Sequence, residues 1–250
     1  MVNIDTVYQK VLAFANKEQR GYITPQEFNL FADQAQMEIF EQYFYDIDQY
    51  RRRPNNNHAY SDILSNLEEK ISHFKRYDEN ASSRLNAYGD VRFDNDVVYR
   101  LGMLRVRHKA NAPLYIAEEM KMEEEFILYN SSPLTKHSIK RPIYWKRKSN
   151  SNETGGQGIS IRIYPAPEEH DKAVLVSYIK YPFKPNWGYV VVNDKPLWNS
   201  NASMHFELHK SEESELVYRI LAYMGIAIEK PGLVQAAIGL ESAKQQQEKI

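Results

Sequence analysis

The chain of 250 residues carries Lys+Arg 32 against Asp+Glu 33, a formal net charge of −1, and 42% hydrophobic residues with 18 Tyr and 10 Phe. That apolar supply can offset chain entropy, which excludes wholesale disorder, and a chain without cysteine excludes disulfide scaffolds and thiolate metal sites and suits a reducing cytoplasm. The near-neutral charge argues against a free-standing DNA binder, no run approaches the ~18 apolar residues of a membrane span, and the start, MVNIDTVYQK, lacks the features of a secretory signal.

Ile4, Val7, Tyr8, Val11, Leu12 and Ala15 recur at spacings of three and four and predict a short amphipathic helix. Thr24-Pro25-Gln26-Glu27 opens a second one. Thr24 and Glu27 have the spacing of a capping box, and Pro25 stands at the first helical position, where no amide donor is needed. Phe28, Phe31, Ala32, Ala35, Ile39, Tyr43 and Ile47 form its stripe, and Arg51-Arg52-Arg53-Pro54 ends it. After the polar loop Asn55-Asn56-Asn57, a third helix is marked by Ile63, Leu64, Leu67, Ile71 and Phe74.

From about Asp96 the texture becomes β-branched and aromatic, with strands predicted over 97–101 and 103–106, a short helix over 118–129, and further strands over 141–145, 159–164 and 173–179. Ile159, Ile161 and Ile163 alternate with Ser160, Arg162 and Tyr164, so one face of that strand is covered. Helix returns over 212–228, with Leu216, Ile220, Tyr223 and Ala227 on a stripe, and a last helix from about Leu233 ends in Lys244, Gln245, Gln246, Gln247, Glu248 and Lys249. So polar an end is expected either to fray or to dock on another chain. The expected architecture is α+β: a helical bundle over 1–95, a mostly antiparallel β domain over 96–210, and helices over 211–250 packing back on the bundle.

Chemistry-bearing motifs are few. Asn16, Glu18, Arg20, Gly21, Ile23 and Glu27 keep the register of a calcium loop, but Arg20 places a cation at a coordinating position and the capping box already accounts for Glu27. His205, Glu207 and His209 would share one face of a strand as a candidate metal set, an arrangement that any solvent-facing strand edge also produces. Gly155-Gly156-Gln157-Gly158 lacks the Lys-Ser/Thr of a phosphate loop, no G-x-S-x-G elbow occurs, and the carboxylate runs Glu118-Glu119 and Glu123-Glu124-Glu125 read as solvated faces. No catalytic residue and no cofactor is therefore expected. Lys136, His137, Lys140, Arg141, Lys146, Arg147 and Lys148, interleaved with Tyr144 and Trp145, form the most basic stretch and could contact nucleic acid or line a solvated hairpin.

Several segments together carry a likeness: Gly21-Tyr22-Ile23-Thr24-Pro25-Gln26-Glu27-Phe28-Asn29, Ala32 to Phe40, Ser132-Pro133-Leu134-Thr135-Lys136, Ile163-Tyr164-Pro165-Ala166-Pro167, Tyr178-Ile179-Lys180-Tyr181-Pro182, and Phe206 to Glu213. They resemble tailed-phage virion structural proteins of the neck, including the head-to-tail adaptor group to which the tail tubular protein A of short-tailed phages belongs. The resemblance implies a non-enzymatic ring subunit of about twelve copies closed by head-to-tail contacts. It further implies a ring assembled in the host cytoplasm and carried in the virion, with the portal and neighbouring tail or neck proteins as partners. The genome DNA would pass through the ring without sequence-specific contact. Two rival readings rest on residues alone: a nucleic-acid-binding module using the 136–148 stretch, and a metal-dependent enzyme using His205, Glu207 and His209.

Overall fold

A computed structural model of the protein describes residues 1–17, 23–52, 58–86, 88–94, 97–109, 112–149, 158–167, 173–227, 235 and 237–243. The helices are α1 (Ile4–Lys17), α2 (Pro25–Arg52), α3 (His58–Ser72), α4 (Glu123–Ser131) and α5 (Glu213–Ala227). The strands are β1 (Lys75–Asn80), β2 (Asp90–Asp94), β3 (Val98–Arg107), β4 (Tyr115–Ile116), β5 (Glu118–Met120), β6 (Ile143–Ser149), β7 (Gly158–Tyr164), β8 (Ala173–Lys180), β9 (Tyr189–Val192) and β10 (Lys195–Trp198). The fold is α+β. Among the described residues, no helix is long and apolar enough to cross a membrane.

Two compact units divide the chain, one made of Met1–His73 with Pro182–Ile250 and the other of Phe74–Tyr181. The sequence boundaries at 95/96 and 210/211 therefore move to 73/74 and 181/182. The first shift arises because β1 and β2 belong to the β unit although β1, Lys-Arg-Tyr-Asp-Glu-Asn, is polar throughout. The second arises because the segment after Tyr181 joins the helical unit before any helix resumes.

In the helical unit, α2 begins as the capping box requires. The Thr24 N–H donates to Glu27 Oε2 at 2.9 Å and the Glu27 N–H to Thr24 Oγ1 at 3.3 Å. Phe28, Ala32, Ala35, Ile39, Tyr43 and Ile47 are buried along it as their spacing predicts, whereas Phe31, and Tyr223 of the predicted α5 stripe, are only half-buried and stack on one another at 6.3 Å. Helix α5 packs on α1 and α2, and α3 packs on α2; Leu216, Val217, Ile220, Leu221 and Met224 form the buried stripe of α5. Each such side chain removed from water contributes about 1.5–3 kcal/mol.

Two buried polar groups of this core are matched in detail. Gln36, fully buried, donates to the Phe183 carbonyl at 2.8 Å and accepts the Glu207 N–H at 3.1 Å. Arg219, 5% exposed, meets Glu215 at 2.6 Å, Glu38 at 3.0 Å and Glu241 at 3.1 Å, and also donates to Gln42. Burial opposes the charge of Arg219, but Glu215 and Glu241 outweigh it and hold the guanidinium above its ordinary range.

The β unit is a sandwich of two four-stranded sheets, ordered β1-β8-β3-β4 and β2-β7-β6-β5. All pairs are antiparallel except β5 with β6. Alternate residues of β8, Val174, Val176 and Tyr178, meet Val91, Phe93, Tyr144, Ile161 and Ile163 of the opposing sheet in one apolar core. The helix predicted over 118–129 is instead β5 followed by α4, because Glu118-Glu119-Met120 takes parallel pairing from Ile143-Tyr144-Trp145. Gly89, at φ +81°, makes the turn into β2, where a Cβ would lie 2.8 Å from the Ile163 carbonyl oxygen.

Candidate functional site

The basic stretch begins in the turn after α4 and runs into β6. Lys136, Lys140 and Arg141 are exposed on that turn. Within β6 the two-residue period then sends neighbouring cations to opposite faces. Lys146 shares the face of Tyr144 and donates to Glu119 at 2.7 Å. Arg147 lies on the other face, where its charge helps Arg162 hold Asp90 down. Asp90 is pulled up by burial but lies below the usual carboxylate range, because the Arg162 fork donates at 2.7 and 2.9 Å and Asn86 at 3.2 Å. The side chain of Lys148 lies outside the described residues. The structure thus leaves three cations exposed on the turn and separates Lys146 from Arg147.

The aromatic residues of the stretch are engaged in packing. Trp145, Tyr164, Phe126 and His137 form one cluster beneath α4, with Phe126 4.7 Å from Trp145 and 4.9 Å from Tyr164. Burial, helped by Lys136, lowers the pKa of His137. The Tyr144 hydroxyl donates to Glu119 at 3.3 Å, and burial with that carboxylate pushes its phenol far up.

What α4 leaves outside includes two large apolar side chains. Phe126 points to the sheet, while Glu124, Ile127, Leu128 and Ser131 fall at spacings of three and four on the opposite side. Ile127 is 64% and Leu128 69% exposed, and Leu134 beyond them is 86% exposed. Scattered apolar residues are normal on a surface, but a contiguous group marks an interaction site.

A second apolar surface occurs in the helical unit. Strands β9 and β10 form a two-stranded ribbon turned by Asn193 and Asp194, both at positive φ (50° and 58°), as a tight hairpin whose twist matches its strands demands. Val190, Val191, Val192, Leu197 and Trp198 are all exposed, so neither face is fully covered. At its base Gly188 approaches Ala202 so closely that a Cβ would lie 2.6 Å from that backbone, and Ser203 Oγ accepts from both the Gly188 N–H and Trp198 Nε1. Between ribbon and α1 lies an open groove of about 560 Å³ lined by Tyr8, Leu12, Trp187, Pro196 and Trp198 among others. Sequence reading missed this ribbon, although Val-Val-Val followed by Asn-Asp is a hairpin signal.

His205, Glu207 and His209 do not converge. Their segment is not a strand, since Phe206 alone makes a bridge, to Val2, so the two-residue alternation fails. His205 Nδ1 accepts the Ile4 N–H at 3.3 Å, Glu207 is buried with Oε2 accepting the Phe183 N–H at 2.9 Å, and His209 Nδ1 accepts the Ser211 N–H at 3.3 Å. Among the described residues no three His, Asp or Glu side chains are grouped to hold a metal ion. The tail Lys244, Gln245, Gln246, Gln247, Glu248 and Lys249, the Gly155–Gln157 loop, and Glu18, Arg20 and Gly21 of the calcium-like segment lie outside the described residues. Comparison with protein-family models finds no match, and comparison with curated proteins finds none.

Proposed function

We propose that the chain is a non-enzymatic structural subunit of a tailed-phage head-to-tail connector, a ring that joins portal to tail and surrounds the genome channel. The observation that carries this reading is a pair of exposed apolar surfaces, the β9–β10 ribbon and the outer face of α4, mounted on two well-packed units. A ring subunit needs two different surfaces, because a heterologous contact closes only when one patch meets another. The polar groups with matched buried partners, Arg219, Gln36 and Glu207, read as architecture in this account. On this reading the partners are further copies of the chain, about twelve to the ring, the portal and neighbouring neck or tail proteins. The protein then resides in the virion neck after assembly in the host cytoplasm.

Lys136, Lys140 and Arg141 support the alternative of a nucleic-acid-binding module. Sedimentation of the protein with a portal, and separately with duplex DNA, across a salt series distinguishes the two. Portal association through apolar contacts persists at moderate salt, whereas phosphate binding falls steeply. Salt-sensitive DNA binding without portal association would overturn the connector reading.

A further inference from the structure

We infer that the β9–β10 ribbon of one copy docks on the outer face of α4 of the next copy, with Lys195 against Glu124. This contact specifies how the ring subunit proposed above meets its neighbour. Direct pairing in the ribbon puts Val190 opposite Leu197 and Val192 opposite Lys195, so three aliphatic side chains and one ammonium share a face. Val190, Val192 and Leu197 on it are 50%, 46% and 54% exposed. The α4 face presents the counterpart, Ile127 and Leu128 with the exposed carboxylate of Glu124 a turn before them. Neither Lys195 nor Glu124 makes an ion pair among the described residues.

The charges decide which pairing of patches is favoured. Ribbon on ribbon adds only a second Lys195 to this face and α4 on α4 only a second Glu124, so neither contact supplies a counterion; ribbon on α4 joins opposite charges. Each patch is only two or three part-exposed aliphatic side chains, well below the ~800 Å² per partner of a stable complex. Each contact alone is therefore weak, and closure of a ring, in which every copy makes it twice, is what holds it.

Because the chain has no cysteine, single cysteines report the contact cleanly. Val190→Cys and Ile127→Cys replace exposed side chains and leave both cores intact. Under mild oxidation at high micromolar concentration, the two variants mixed give a disulfide-linked dimer, while each alone gives none, and a chain carrying both gives a ladder of multimers. Lys195→Glu in the ribbon partner lowers the yield of the mixed dimer about five-fold, as loss of an exposed ion pair does, and Glu124→Lys in the α4 partner restores it. Self-linking of Val190→Cys would mean that ribbon meets ribbon and would overturn the inference, as would a mixture that links no better than its parts or a charge swap that restores nothing. A ladder that never closes on a portal leaves this contact standing and counts only against the connector reading.

Discussion

Replacing Arg219 by Met removes the cation that pairs with Glu215 at 2.6 Å, itself only 5% exposed, and leaves Glu38 and Glu241 facing the same vacated space. Methionine fills much of the volume, so the cost is electrostatic rather than a cavity. Removing one partner of a buried pair costs about 3–5 kcal/mol, because the remaining charge stays desolvated. In a chain of this size that corresponds to a fall in melting temperature on the order of 10 °C. Urea titration followed by tryptophan emission measures it, since Trp187 is buried in the same unit at 2% exposure. Adding Glu215→Leu to the Arg219→Met chain removes the stranded carboxylate and recovers at least half of the loss. A loss below about 1 kcal/mol would place the cluster with exposed surface pairs, and a second substitution that recovers nothing would refute the assignment of the cost to Glu215.

Thr24→Ala destabilises the protein by about 1 kcal/mol through loss of the helix cap. The Thr24 N–H, which the variant keeps, and the hydroxyl, which it loses, hold the Glu27 pKa down, so the hydroxyl's share of this contribution is present above the unfolded carboxylate pKa, ~4.3, and fades as pH falls through the folded value. The gap between wild type and variant therefore narrows in acid denaturation series, and added calcium changes neither melting temperature. Deleting residues 244–250 leaves the melting transition unchanged but weakens portal binding in ultracentrifugation. The cut falls after 243 because Glu241 pairs with Arg219 at 3.1 Å, and a cut before Glu241 would confound docking with stability.

Local signals made the helices legible. The capping box at Thr24 fixed the start of α2, and the three-four spacing of Phe28, Ala32, Ala35 and Ile39 named its buried face. The alternation of Ile159, Ile161 and Ile163 likewise identified the covered face of β7, with Ile161 and Ile163 fully buried. Non-local pairing hid the rest. Strand β1 is an edge strand held by the backbone of β8, so its six residues needed no apolar alternation. Strand β5 resembled helix because its glutamates carry no strand propensity and its partner lies more than twenty residues on. The candidate metal set failed for a related reason: His205, Glu207 and His209 each satisfy a backbone amide in a segment without regular alternation. The α4 face escaped notice because Ile127, Leu128 and Phe126 are all apolar, and only the packing of Phe126 on Trp145 and Tyr164 shows which side is left outside.

Electron microscopy of the purified protein, alone and mixed with a tailed-phage portal, tests the connector reading most directly. The account predicts monomers or small oligomers alone, and with the portal closed rings of about twelve copies stacked coaxially on it. Protein that leaves the portal bare at concentrations where the Val190→Cys and Ile127→Cys chains already link would contradict it.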